Sequence, residues 1–121
     1  SSAASDVYKR QEMLSADAGL VSALLCYVSQ RGLKNQLYLN CLNYQTVRER
    51  IAYWIMGVRK IEARQEQEVH MPRSQRIFAN MLHVNRSSLN QELKQMEREG
   101  YFRLDKERLL HVEGERLKEL L

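Results

Sequence analysis

Four polar side chains are the residues of this chain best suited to bind another molecule. Arg86, Ser87, Asn90 and Gln91 stand at positions i, i+1, i+4 and i+5, so a helix would carry them on one face. Their guanidinium, hydroxyl and amide groups can form the hydrogen bonds that base edges in the DNA major groove require. The chemistry that this face indicates is recognition by hydrogen bonding.

Two short helices within residues 74–102 would position this face. Each carries an apolar stripe at helical spacing, Phe78, Ala79 and Leu82 in the first and Leu89, Leu93 and Met96 in the second. Asn85 is a good N-cap for the second helix, and Gly100 favours its end. The pair predicts a helix-turn-helix that presents its second helix to the DNA major groove. The alternative is an ordinary amphipathic helix pair with a solvated polar face.

The residues after Gly100 predict a small β-hairpin wing. Residues 101–104 and 109–112 have strand character, and the polar residues 105–108 between them favour a turn. Residues 69–72 could add a third, edge strand that ends at Pro72, and residues 113–121 predict a short closing helix. The predicted fold class is therefore mainly α with a small β-hairpin wing, in which a long N-terminal helix precedes a winged helix-turn-helix domain.

The long helix is predicted from Ala16 to about Leu42, with Gly32 as a local weak point. We expect it to be too polar and too often interrupted to span a membrane. Thr46 and Glu49 have the spacing of a capping box, which predicts the start of another helix. That helix would bury Ile51, Trp54 and Ile55. The charged residues 59–68 predict an exposed helical extension or a linker.

From Glu12 onward the chain resembles the C-terminal part of the Crp/Fnr family of bacterial transcription regulators. The resemblance is closest to the branch of the family that is common in anaerobic Gram-positive bacteria. Three stretches carry it, in matching order and spacing: residues 47–52 (VRERIA), residues 71–74 (MPRS), and residues 84–89 (VNRSSL) continuing to Glu99 and Gly100.

The resemblance implies a recognition helix at about residues 85–99. The base-contacting positions of the family fall on Arg86, Ser87, Asn90 and Gln91, and the candidate phosphate contacts are Arg73, Ser74, Arg76, Ser88 and Lys94. Arg86 could read guanine, and Asn90 or Gln91 could read adenine. The alternative for Arg86 is a phosphate contact or a solvated charge. Family members with well-known operators have Glu in place of Ser87 and Arg in place of Gln91. The docking mode is therefore expected to carry over, but the DNA sequence is not.

The resemblance also implies a division of the chain into three parts. Residues 12–45 would be a dimerisation helix region, the remnant of a truncated sensor domain, and residues 46–121 the winged helix-turn-helix domain. Residues 1–11 are expected to be a disordered tail, in which residues 6–11 resemble a translated transposase end from a sequencing library; a genuine tail is the alternative. We expect a homodimer on double-stranded DNA, with RNA polymerase as a possible partner, no membrane partner and no cofactor in this fragment. The effector of the sensor is unknown.

Charge is concentrated where DNA would bind. The formal net charge is only +4, with 19 Lys and Arg against 15 Asp and Glu. Residues 73–94 nevertheless contain four basic residues and one acidic residue, Glu92. A local basic excess of this kind is typical of a DNA-binding face, and binding should weaken as salt rises.

Other classes of function find little support in the sequence. The chain has no glycine-rich phosphate loop or nucleophile elbow, so we expect no enzyme. Cys26 and Cys41 are interpreted as small apolar packing residues, and the three scattered His residues do not suggest a metal site. No secretion signal is recognised, and a cytoplasmic location is expected. The remaining alternative is a winged-helix module for protein interaction or a dimer scaffold that has lost DNA binding.

Overall fold

The computed structural model describes residues 2–62 and 67–121 of the chain. The fold class is as predicted, a long N-terminal helix followed by helices and a small antiparallel sheet. The chain divides into two compact units, of which the first ends at Gly32 and the second runs from Leu33 to Leu121. The elements, in chain order, are α1 (Ser2–Cys41), α2 (Val47–Glu62), β1 (Glu68–His70), α3 (Gln75–Met81), α4 (Arg86–Arg98), β2 (Phe102–Leu104), β3 (Leu109–Val112) and α5 (Gly114–Lys118).

Helix α1 begins at Ser2, well before the predicted start at Ala16. The expected disordered tail is therefore helical from Ser2 onward, and that part of the prediction was wrong. The physical reason is that no Pro or Gly precedes Gly19, so no residue interrupts the helix there. Its described side chains from Ala3 to Gly32 are all exposed, including Cys26, which was expected to pack.

Helix α1 also contains an apolar stretch. Residues Ala3–Cys41 contain an 18-residue window with a mean hydropathy of 1.2, which makes this helix long and apolar enough to cross a membrane. It is the one such helix among the described residues, and the expectation that it is too polar for a span does not hold by this measure. Length and composition alone are weak evidence for a span, because signal sequences and core helices share them.

The unit from Leu33 onward has one hydrophobic core built around α2. The ring centroids of Trp54 and Phe78 lie 4.6 Å apart, and Ile51, Trp54 and Ile55 are buried as predicted. The last turns of α1 contribute Leu37 and Cys41. Burial raises the pKa of the Cys41 thiol to about 12, so this cysteine packs as an apolar residue, as predicted.

A glycine permits the close approach of α1 to α2. A Cβ atom at Gly57 would lie 2.2 Å from Cδ1 of Leu37, a distance that two non-bonded carbon atoms cannot adopt.

The start of α2 is fixed by the predicted capping box. Thr46 Oγ1 accepts the Glu49 amide at 3.1 Å and donates to the Glu49 carboxylate at 2.7 Å. In a standard capping box the Glu carboxylate accepts a hydrogen bond from the backbone amide of the cap residue. Here the Glu49 carboxylate accepts from the hydroxyl of the cap residue instead.

The wing is a three-stranded antiparallel sheet with strand order β1-β3-β2. Val69 pairs with Leu110, and Phe102 pairs with Val112, so the predicted edge strand and hairpin are both present. Asp105 closes the hairpin, since its Oδ1 accepts the amides of Glu107 at 2.8 Å and Leu109 at 3.1 Å. Strands β2 and β3 follow α4 directly in the chain, whereas β1 precedes α3, and the sheet contacts both α4 and α2.

Candidate nucleic-acid interface

Helix α4 begins where the sequence predicts, at a side-chain cap. Asn85 has an extended backbone conformation, and its Oδ1 accepts the Ser87 amide at 2.7 Å. This bond satisfies one of the free amides of the first turn. The predicted apolar stripe of Leu89, Leu93 and Met96 is buried. Its burial fixes which side of α4 faces the core and which side faces solvent.

The solvent side of α4 carries all the predicted base-contacting residues. Arg86, Ser87 and Gln91 are exposed, and Asn90 is partly buried. Among the described residues, no side-chain hydrogen bond or ion pair occupies these four groups. The structure thus brings them together on one free polar face. None of the large exposed apolar residues lies on α4, so the face lacks the apolar patch that a protein-binding surface would present.

The predicted phosphate contacts lie at the starts of the two helices and farther along α4. Ser74 is the N-cap of α3, where its Oγ accepts the Ile77 amide at 3.2 Å and retains a hydroxyl hydrogen to donate. Arg73 and Arg76, on either side of it, are exposed. Ser88 is exposed in the first turn of α4, and Lys94 is exposed two turns later. All five side chains are therefore accessible or partly accessible to a ligand.

The acidic residues of α4 and its C-cap are engaged with neighbouring elements. Glu92 and Glu99 both bind the guanidinium of Arg48, in the first turn of α2. Glu97 Oε1 accepts the Leu104 amide of β2 at 3.1 Å. The negative charge near α4 is thus held by partners on α2 and β2, while Arg86 and Lys94 have no ion-pair partner among the described residues.

The turn between α3 and α4 is held by main-chain bonds and by one arginine. His83 has a left-handed φ of 54°, and the Val84 amide donates to the Ala79 carbonyl at 3.0 Å. Val84 is half-buried, as expected for a residue that fills the gap between the helices. Arg50 on α2 donates to the Leu82 carbonyl and the Tyr44 carbonyl, each at 2.8 Å. The turn is thereby tied to α2.

The C-terminal end of α4 has the same kind of main-chain closure. Gly100 has a φ of +86°, and its amide donates to the Glu97 carbonyl at 3.0 Å. The Tyr101 amide donates to the Met96 carbonyl at 3.1 Å. The predicted glycine stop is confirmed, and the chain turns there directly into the wing.

The contacts that Arg48 and Arg50 make with α4 and with the turn before it were not predicted from the sequence. Both arginines lie within the stretch that carries the family resemblance, but their partners in the turn before α4, on α4 and at its C-cap lie 32 to 51 residues away along the chain. The available signal was weak. Both arginines lie in the first turn of α2, and the N-terminal end of a helix usually favours acidic side chains.

A helix pair with a closed turn, followed by a hairpin that completes a three-stranded sheet with β1, defines a winged helix-turn-helix domain. Residues 49–120, more than half of the chain, match the Crp-like helix-turn-helix domain. The chain belongs to this domain family, which is that of DNA-binding transcription regulators. No curated protein matches the chain.

Proposed function

We propose that this protein is a sequence-specific transcription regulator that inserts α4 into the DNA major groove. The observation that carries the proposal is the free polar face of α4, formed by Arg86, Ser87, Asn90 and Gln91. In this role Arg86 would read guanine through two parallel hydrogen bonds, and Asn90 or Gln91 would read adenine. Ser87 would contact a base by its hydroxyl group.

The phosphate contacts of this proposal surround the same face. Arg73, Arg76 and Lys94 would supply charge, and the hydroxyl groups of Ser74 and Ser88 would donate to phosphate oxygens. These contacts would orient α4 in the groove and would contribute little to sequence preference. The inward engagement of Glu92, Glu97 and Glu99 supports the proposal, because it keeps their charge directed away from the backbone of the DNA.

The regulator would act as a dimer through α1. The apolar residues of α1 form a wide exposed face, and a second copy of the same helix is the partner that we propose for it. The face includes Leu20, Val21, Leu24, Leu25 and Val28. Two recognition helices would then enter successive major grooves, about 34 Å apart, on a pseudo-palindromic site. A cytoplasmic location and contact with RNA polymerase accord with this role.

A protein-interaction or scaffold role without DNA binding is the less favoured alternative. Such a role would need an apolar docking surface on α4, and the exposed face of that helix is polar. The Crp-like domain match also favours the DNA-binding role.

Selection from a random double-stranded DNA pool tests the base-reading assignment. We expect the unaltered protein to enrich one pseudo-palindromic sequence. Arg86→Ala combined with Gln91→Ala should weaken binding to that sequence by at least about tenfold and relax its preference, because each bidentate base contact contributes roughly 1–3 kcal/mol.

The matched control removes the same residue types from positions away from the four proposed base-contacting residues. Gln45→Ala combined with Arg98→Ala should leave the enriched sequence unchanged, since Gln45 is exposed in the turn before α2 and Arg98 lies about two turns beyond Gln91 on α4. If the Arg86 and Gln91 double variant selected the same sequence with the same preference, the base-reading assignment would be wrong. If the unaltered protein enriched no sequence, the proposed function would be wrong.

A further inference from the structure

Arg48 binds α4 at two points along its length. Its Nε donates to Glu92 Oε1 at 2.5 Å, and its Nη2 donates to the Glu99 carboxylate. Glu92 lies in the middle of α4, and Glu99 is its C-cap. Glu99 stands seven positions after Glu92, which corresponds to a rise of about 10 Å along a helix at 1.5 Å per residue. One planar guanidinium therefore holds two separated points of the same helix.

The same guanidinium lies against the residue that follows α4. The central carbon of the Arg48 guanidinium is 5.5 Å from the centre of the Tyr101 ring. The corresponding carbon of Arg116 on α5 is 4.7 Å from that ring, and Arg116 also donates to the Glu99 carbonyl. Both arginines thus hold the C-terminal end of α4 through the same ring and the same cap residue.

The apolar contacts of α4 set which side of the helix faces the core, and they leave its finer direction to other contacts. Leu89, Leu93 and Met96 hold α4 against the core, but apolar contact is non-directional. A single polar attachment would leave the helix free to pivot about that point. Two charge-assisted attachments to a rigid planar group restrict both the rotation of α4 about its axis and its tilt.

The electrostatics of the cluster agree with this geometry. The side chain of Arg48 is 25% exposed, so its pairs are only partly screened by solvent. The Arg48 hydrogen bond holds the pKa of Glu99 below its ordinary value, and the two carboxylates raise the pKa of Arg48. Glu99 and Arg48 therefore both stay charged throughout the physiological pH range.

We propose that Arg48 is a positioning residue that sets the orientation of α4, and through it the sequence preference of the DNA-binding face. Arg48 touches α4 from the side away from the proposed DNA-binding residues, so it would act on the DNA indirectly, through Glu92, Glu99 and Tyr101. The second half of this proposal depends on the proposed function. The first half, the orientation of α4, can be measured without DNA.

The first measurement compares the direction of α4 relative to α2 by residual dipolar couplings of the backbone amides. Arg48→Met keeps most of the apolar stem and removes both charged attachments. We expect the couplings of α4 in this variant to fit a changed orientation, while those within α2 still fit the original helix. Lys60→Met removes one positive charge from an exposed position on the same helix and should leave α4 unchanged.

Glu99→Gln provides a milder variant in case Arg48→Met does not fold. It leaves the contact between Arg48 and Glu92 in place and weakens the second attachment, so we expect a smaller change in the same direction. An unchanged α4 orientation in every folded variant would overturn the proposal.

The second measurement is selection from the random DNA pool. We expect folded Arg48→Met to discriminate between the enriched sequence and unrelated DNA at least about tenfold less well than Lys60→Met, as the loss of one bidentate base contact would do. A merely structural role would lower the unfolding midpoint and leave this ratio unchanged, which would overturn the link to sequence preference. If the Lys60→Met control itself selected no sequence, the proposed function would fail, and the dipolar couplings alone would decide whether Arg48 orients α4.

Discussion

At the scale of single residues, α4 separates its side chains by chemistry. Its apolar residues face the core, its acidic residues bind α2 and β2, and its amide, hydroxyl and basic groups face solvent. The separation means that a substitution on the solvent side changes binding without removing a contact of the folded domain. Affinity and stability can therefore be tested independently on this helix.

Lys94 is expected to act on DNA through charge alone. Lys94→Gln should weaken binding about equally for all sequences and should lower the slope of log K against log salt concentration by about one, because one fewer phosphate is neutralised. Lys118→Gln on α5 removes the same charge away from α4 and serves as the control. The measurement is a salt titration of binding by fluorescence anisotropy. A changed sequence preference in Lys94→Gln would instead indicate a base contact.

Residues that act locally could be predicted from the sequence, whereas residues that act across the fold could not. The cap at Asn85 and the stop at Gly100 depend on main-chain groups one to five residues away, and both predictions were confirmed. The contacts of Arg50 and Arg48 depend on which helices cross, and residue spacing contains no information on this. Their partners are set by the packing of α2 on the turn and on α4.

At the scale of elements, the N-cap of α4 should make a measurable contribution to stability. Asn85→Ala removes the acceptor of the Ser87 amide and should lower the free energy of unfolding by about 1 kcal/mol. Asn85→Ser keeps an acceptor at the same position and should retain most of the stability. Chemical denaturation followed by circular dichroism measures both. Equal stabilities of the alanine and serine variants would show that the cap contributes nothing.

The hairpin of the wing should lose stability in acid. Hydrogen bonds from His111 and from two main-chain amides hold the pKa of Asp105 below its ordinary value of 3.8. The ionised carboxylate therefore contributes its full stabilisation above pH 3.8, and this contribution is lost as the pH falls through the lower pKa of the folded state.

Asp105→Asn tests this dependence. The difference in urea midpoint between the unaltered protein and Asp105→Asn should be largest near pH 5 and should shrink below about pH 4. Glu107→Gln removes a neighbouring carboxylate that accepts none of these hydrogen bonds, and serves as the control. A difference that stays constant down to pH 3 would contradict the role assigned to Asp105.

At the scale of the whole molecule, the proposed association would depend on α1. Its apolar residues are exposed in the single chain, and one helix offers a limited area for pairing. We therefore expect a weak dimer whose sedimentation coefficient rises with concentration. A tight dimer that is independent of concentration would contradict this expectation.

Substitutions on α1 locate the pairing face. Leu24→Glu combined with Val28→Glu should keep the protein monomeric at all concentrations, since charge would replace apolar contact. Ser22→Glu adds one charge on another side of the helix and should leave the association unchanged. If the double variant still dimerised normally, pairing would not involve this face of α1.

The start of α1 shows where composition misleads. Small and polar residues at the beginning of the chain predicted disorder, but Ser and Ala are compatible with a helix once nothing interrupts it. The order of the later elements was predictable, because each begins or ends at a cap, a glycine or a turn that the sequence displays.

The engagement of Arg50 with the turn has a consequence for how such a regulator can diversify. Arg50 holds the turn through the Leu82 carbonyl, and Asn85 and Gly100 close α4 through main-chain groups. None of these bonds uses the side chains of the proposed base-contacting residues, Arg86, Ser87, Asn90 and Gln91. On the proposed function, new specificities would therefore arise by exchanging residues such as Ser87 and Gln91 one at a time while each intermediate still folds, so the domain would be a scaffold on which binding preference evolves without a loss of structure.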